Sequence, residues 1–558
     1  MREPLYSFFR TRRYLLILAG AAVLLGGFKT YDKYFDISKN MDILGKVFTE
    51  VNAVYVDEPN PTRMMQTGIT SMLEGMDPYT NFFPESMIEQ SMVLQSGQLS
   101  GIGAGLDQRG ADIFLMELFE DGPADEAGLR IGDNILRIDD EPVGSSGRTL
   151  EEAKNLIQGE SGTQVTILFQ RGDSPAQQVT LTRGGNAAQQ ENVPFSGMVT
   201  EDIGYILLNN FMGSAGNEVG GALKRLKDNH PQLQSVILDL RGNPGGRLDE
   251  AVNVCNIFMP QGTFITEMKG RTSASNQQFR TMLQPVDTDI PLVVLVDEHS
   301  ASASEIVSGA VQDLDRGVIL GRRSFGKGLV QNVKPLVYNT QMKITIARYF
   351  LPSGRCIQSI DYFHKHEDGS PGQIPDSALT AFQTANGRTV YDGGGILPDV
   401  IVEKESDLPV LKALQQQGYL FDYVTKFVEE HDSIESPRLF QVDNDTYEGF
   451  VKYVRSRGFE FQTASEVVLE QLQQAVEQEE LDARSVETIR EVDQELAHLK
   501  VQDLDRHQQL IAEELRKLIV SRYYFKQGLL ESGFSFDPDI QKAVQVLYDK
   551  SRYQKLLE

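Results

Sequence analysis

Apolar positions along this chain change their spacing several times, and each change marks a boundary. An uncharged run, YLLILAGAAVLLGGF (14–28), comes first. From 36 to 96 the apolar residues fall at helical intervals, as in MDILGKVFTEVNAVYV, until MDPYTNFF (76–83) breaks the pattern. Between 97 and 183 the period shortens. SGIGAGLDQRGADIFLMELF predicts two strands about a polar turn, and TQVTILFQR and QQVTLTR predict two more. RTLEEAKNLIQG predicts a helix among them, with Thr149 and Glu152 at capping-box spacing.

From 184 to 403 strands alternate with helices. SVILDL (235–240) and PLVVLV (291–296) are continuous apolar runs, as expected of strands covered on both faces. Each ends in a turn of small residues, RGNPGG (241–246) and HSASAS (299–304), and each turn opens a helical pattern. Two such units predict an α/β layer whose functional edge lies at the strand C-termini. From 404 to 558 the composition becomes Gln/Glu-rich with helical periodicity, and DPDIQKAVQVLYDK predicts a helix capped by Asp537 with Pro538 at its first position. Its acidic runs read as a solvated face.

Composition narrows the classes. The chain has 558 residues, 40% hydrophobic and 24% charged, enough for several folded domains. A net charge of −26 without clustered Lys and Arg excludes nucleic acid as a partner. Arg2, Arg10, Arg12 and Arg13 precede the 14–28 run, which is short of the ~20 residues of a membrane span and lacks a following A-x-A site. The expectation is an uncleaved anchor in residues 1–35 with its basic flank inside. The rest would be periplasmic, tethered to the inner membrane; export after signal cleavage is the alternative. Cys255 and Cys356 lack metal-ligand spacing, and a disulfide or two buried thiols are both open. Neither a metal nor another cofactor is predicted.

The chemistry concentrates in HSASAS. Ser302 and Glu305 have the S-x-x-E spacing of a helix cap, which by itself accounts for both. A nucleophile needs an activating base and oxyanion donors as well. His299 is too near Ser302 along the chain to face it readily. RGNPGG has Asn243-Pro244 where a trypsin-like protease carries its serine, so that chemistry is excluded there. Lys327, in RRSFGKGLVQ, lies between two glycines, where the backbone can bend and nothing bulky shields the amine. Desolvation would bring its ordinary pKa of about 10.4 towards neutrality. GRRSFGKG also has the outline of a P-loop, but Gly328 stands where a magnesium-binding Ser or Thr is required.

Two resemblances organise these motifs. SGIG, GPADEAGL and GDNILRI, followed by a helix, resemble a PDZ domain over 97–183. Ser100, Gly101, Ile102 and Gly103 would then offer backbone N–H groups to a C-terminal carboxylate, and the next strand an edge for an added peptide strand. LRGNPGG, SASASEIVSGAVQD, GRRSFGKGLVQ, ARYFLPSGRCIQ and GGGILPDV together resemble the carboxy-terminal processing (tail-specific) proteases of peptidase family S41, over about 40–400.

That resemblance implies a crotonase/ClpP-like α/β catalytic core (184–403) with an inserted PDZ domain, preceded by a helical segment (36–96) and followed by an α-helical C-terminal domain (404–558). It makes Ser302 the nucleophile of a Ser-Lys dyad, Lys327 its general base and Gln331 the residue that holds the lysine. Oxyanion donors would be the N–H of Ala303 and one from the Gly245–Gly246 turn, and Asp313 would support the site. Ser324 stands where the family often has Thr. The implied function is a serine endopeptidase that takes exported proteins or peptides by their C-terminus. Two rivals are a catalytically inactive, membrane-tethered PDZ scaffold and a crotonase-like acyl-thioester enzyme. Residues 404–558 carry no legible chemistry; dimerisation, substrate gating and adaptor binding are open to them, and a homo-oligomer is among the assemblies allowed.

Overall fold

The computed structural model describes residues 34–85, 87–88, 99–184, 191–365, 371–404, 408–479 and 483–558. The apolar run 14–28 and the expected anchor lie outside these residues. No helix among the described residues is long and apolar enough to cross a membrane. The chain divides into two compact units, one ending at Pro84 and one beginning at Glu85. The first is helical over 34–54 and again over Pro61–Glu74, a helix started by Pro61 and capped by Asn60, whose side-chain oxygen accepts the Arg63 N–H at 2.9 Å. The break at MDPYTNFF is a turn built on Asp77, which accepts the N–H groups of Tyr79 and Thr80.

Within the second unit, the alternating segments 97–183 form the expected strands. Ala104–Arg109, Asp112–Leu118, Asn134–Ile138, Gln164–Gln170 and Gln177–Thr182 are antiparallel neighbours in that order. Alternation sends Leu106, Ile113, Leu115, Ile135, Val165, Ile167 and Phe169 into one core beneath the Leu150–Ile157 helix. The Thr149–Glu152 capping box forms as its spacing predicts. Ala104–Arg109 is an edge strand, paired on one side only within its sheet.

The continuous apolar runs become the centre of a six-stranded sheet. Its order is Phe195–Met198, Ile203–Leu207, Ser235–Asp239, Leu292–Val296, Val318–Gly321 and Val400–Ile401, parallel throughout except for the first pair. Every residue of the three central runs is buried, because helices Ala215–Asn229, Leu248–Phe258 and Ala303–Asp313 cover one face. A second antiparallel sheet holds Gln341–Phe350 between Leu329–Pro335 and Phe264–Gly270.

What covers the opposite face departs from expectation. Within 404–558, Leu414, Val424, Phe450, Leu515 and Ile519 form a core of their own. Phe534, Ile540, Ala543, Val546, Leu547 and Tyr553 instead pack on Tyr205, Ile237, Val293, Leu295 and Leu320 of the six-stranded sheet. The Tyr553 hydroxyl also donates to the Leu292 carbonyl at 3.1 Å and accepts its N–H at 2.9 Å. A buried side chain of this kind contributes about 1.5–3 kcal/mol, so this segment is a structural layer of the α/β core. A parallel sheet must be covered on both faces, and this segment supplies the second cover.

Candidate active site

Three turns far apart in sequence meet because three neighbouring parallel strands end side by side. Ser235–Asp239 pairs with Leu292–Val296, which pairs with Val318–Gly321. The chain leaves them into RGNPGG, HSASAS and RRSFGKG respectively. Asp297 and Ser300 fasten the first two turns. The Asp297 carboxylate accepts the N–H of Gly242 at 2.9 Å and of Ser300 at 3.0 Å. Ser300 Oγ donates to the Leu240 carbonyl, Ser304 Oγ to the Asn243 carbonyl, and the Ala301 N–H to that same carbonyl. Ser300 and Ser304 are therefore structural.

Ser302 differs from both. Its backbone has φ 56° and ψ −109°, a conformation that L-residues rarely adopt and that costs on the order of 1–3 kcal/mol. The residue opens the Ala303–Asp313 helix, whose N-terminus favours negative charge. Among the described residues no acceptor takes the Ala303 N–H. The Ser302 side chain lies beside the Tyr349 phenol, which burial pushes up to about 12 and which so stays protonated at neutral pH. The Tyr349 N–H donates to the Gly328 carbonyl at 2.9 Å, next to Lys327.

Glu305 joins the serine turn to the lysine loop. Its side chain is fully buried. One carboxylate oxygen accepts the N–H of Ser302 and of Lys327, both at 2.8 Å. The other accepts the Gly326 N–H at 2.7 Å and the Ser324 hydroxyl at 2.6 Å. Burial pushes this carboxyl above its ordinary value while the four donors pull the other way. The S-x-x-E spacing thus marks more than a cap.

The remaining site residues fall as follows. Lys327 is half-buried. Its flanking glycines serve close packing, and Gly326, at φ 84°, also makes the bend. A Cβ at Gly326 would meet Ser359 Oγ at 2.2 Å, and one at Gly328 the Gln358 backbone N at 2.7 Å. The Gln331 amide donates to Thr345 Oγ1 on the paired strand at 3.3 Å. Gly245 lies against the serine, where a Cβ would meet the Ala301 O, Ala303 N and Ser302 Cβ within 3 Å. Its own N–H, however, donates to Asn243 Oδ1 at 2.9 Å, so it could serve an oxyanion only by leaving that acceptor. Asp313 stands at the far end of the helix, about 15 Å from its start. There it pairs with buried Arg355 at 2.8 Å and accepts the Ser353 N–H. It braces the fold and does not reach Ser302. His299 is exposed.

In the PDZ-like segment, the carbonyls of Gly101, Ile102 and Gly103 accept from Gly184, Ala124 and Phe119, and Ser100 pairs with Gly159. Among the described residues no acceptor takes the N–H groups of Gly101, Ile102 or Gly103. Both cysteines are free thiols; Cys255 is buried, and burial pushes its pKa up to about 12.

The peptidase family S41 profile matches residues 202–362. A carboxy-terminal-processing protease of Bartonella bacilliformis is 31% identical over 348 residues, which are 62% of this chain and 79% of that protein. The chain belongs to peptidase family S41. As an S41 chain it is a serine-type peptidase of the carboxy-terminal-processing group, and the acyl-thioester alternative is set aside. A probable CtpA-like serine protease of Staphylococcus epidermidis is 27% identical over 418 residues, covering 73% of this chain and 78% of the relative. The photosystem II D1 C-terminal processing protease, a solved structure, is 24% identical with a TM-score of 0.36, covering 64% of this chain and 92% of that one. A PDZ profile matches 119–171, and the C-terminal helical domain of probable PDZ-proteases matches 410–547. In this S41 chain, sequence reasoning missed Tyr349, which lay unassigned within ARYFLPSG, and it assigned Glu305 no role beyond capping.

Proposed function

We propose that this chain is an endopeptidase whose nucleophile is Ser302 and whose general base is Lys327. The observation that carries the reading is the shared Glu305 carboxylate, which holds the backbones of both residues on one buried oxygen. A neutral Lys327 amine takes the Ser302 proton, and the alkoxide attacks a peptide carbonyl. The Ala303 N–H, at the positive end of the helix, stabilises the oxyanion. Lys327 then protonates the leaving amine. Tyr349 lies beside the serine and cannot compete as a base near neutral pH.

The PDZ segment captures the C-terminal carboxylate of an exported protein at Ser100–Gly103, with the peptide added to the edge of Ala104–Arg109. Residues 1–35 anchor the enzyme in the inner membrane with the remainder in the periplasm. Retention in the membrane fraction after alkaline extraction checks that placement.

The deciding experiment incubates the full chain with an unfolded polypeptide and identifies fragments by mass spectrometry. Wild type should cleave, Ser302→Ala should not, and Lys327→Ala should lose about 10²–10⁴-fold in rate. Full proteolysis by Lys327→Ala would refute the dyad. Amidation of the substrate's C-terminus should raise KM with little change in kcat; an unchanged KM would refute carboxylate capture.

A further inference from the structure

The segment that closes the catalytic sheet also reaches two of the three active-site turns. Arg241 is the residue immediately before the Gly242–Gly246 turn. Its guanidinium pairs with Asp239 at 2.6 Å, and with Asp537 and Asp539, each at 2.9 Å. Arg322, which begins the loop carrying Lys327, pairs with the same Asp539 at 3.2 Å and with Glu298 at 3.0 Å. Asp539 is only 2% exposed, so its two cationic partners answer the cost of burying its charge. Asp537 binds on two sides. It accepts the Asp539 and Ile540 N–H groups as the cap of the Pro538–Tyr548 helix, and from the same position it accepts two hydrogen bonds from Arg241.

We propose that Asp539, supported by Asp537, is a positioning residue of the peptidase: it sets the separation between the glycine turn and the lysine loop. The inference rests on the Ser302–Lys327 reading of the site. Asp539 touches no reacting group and acts through Arg241 and Arg322. These arginines stand one at each side of the serine strand, because Ser235–Asp239 and Val318–Gly321 flank Leu292–Val296. One buried carboxylate spanning both arginines holds the two outer turns at a fixed distance across the serine. Misplacement of a catalytic group by about 1 Å can cost on the order of 10²-fold in rate. The active site is therefore fully assembled only when the Pro538–Tyr548 helix has docked on the sheet.

The test uses the full chain and three readouts: steady-state cleavage of an unfolded polypeptide, labelling of Ser302 by a fluorophosphonate, and thermal melting. Asp539→Asn should lower kcat by roughly tenfold to a hundredfold with KM within about twofold, and should slow fluorophosphonate labelling in parallel. Asp539→Glu should restore part of both. Arg322→Gln cuts only the lysine-loop arm, at a side chain a quarter exposed. It should remain folded and still lower kcat several-fold. Wild-type kcat in folded Asp539→Asn or in Arg322→Gln, with Ser302 labelled normally, would overturn this inference alone. Absence of Ser302 labelling in the wild type would overturn the reading of the site, and this inference with it.

Discussion

Glu305 accepts the Lys327 N–H at 2.8 Å on the same oxygen that accepts the Ser302 N–H. A carboxylate has acceptor sites for all four donors around it, and a carboxamide does not. In Glu305→Gln one donor pair would face an NH2 group, and the Gly326 and Lys327 N–H groups cannot turn round to accept. A buried donor left without a partner costs about 1–3 kcal/mol. Glu305→Gln should therefore lose that much stability in chemical denaturation. Its cleavage rate should fall further than the melting shift explains, since the lysine loop is displaced. A variant with wild-type activity would show that the shared oxygen does not organise the site.

Gly245 admits no side chain. An added Cβ would lie 2.6 Å from the Ala301 carbonyl and 2.9 Å from the Ser302 Cβ, at φ 98°. Gly242 has φ 69° with nothing within 4 Å of its Cβ position. Gly242→Ala should cost only the left-handed strain of about 1–2 kcal/mol and keep activity. Gly245→Ala should abolish detectable cleavage. Comparing the pair by kcat and melting temperature separates backbone strain from intrusion on the serine.

The PDZ-like segment rests on the helical domain through the end of its edge strand. Arg109 pairs with Asp422, donates to the Gly418 carbonyl at 3.3 Å, and lies 4.8 Å from the centre of the Phe421 ring. The ion pair is partly exposed and adds little; the cation–π contact contributes about 0.5–1 kcal/mol. Arg109→Ala should raise hydrogen exchange in the Tyr419–Glu430 helix by roughly twofold to fivefold without altering exchange in Leu292–Val296. Uniform change across both would mean that the contact is not local.

Glu298 gives a pH prediction with a definite sign. Its own backbone N–H, with help from Arg322 and Lys404, lowers its carboxyl from 4.5 to about 2. A folded value below the unfolded one means that the stabilisation is present above the ordinary carboxylate range and is lost as pH falls through about 2. Glu298 should therefore titrate well below exposed glutamates when followed by NMR. Arg322→Gln should move its midpoint back towards 4.5. A midpoint already ordinary in the wild type would contradict this.

The local elements of this protein were legible in its sequence because they depend on near neighbours. The period-two runs of the PDZ-like sheet, the Thr149 cap, the Pro538 helix start and the wholly apolar runs 235–240 and 291–296 each carry their own signal. Ser302 and Lys327 were singled out by small-residue turns at the ends of buried strands and by the family those motifs resemble, and their roles remain a proposal. What only the tertiary structure decided is which groups meet across those turns. Glu305 reads as a cap from its spacing, yet it clamps a loop 22 positions away. Tyr349 and Asp539 bear no local mark at all. Gly245 is placed as expected against the serine, but its N–H is already taken by Asn243. The physical reason is the parallel sheet itself. Strand order brings distant turns to one edge and requires cover on both faces, so partners across that edge are set by packing and not by spacing along the chain.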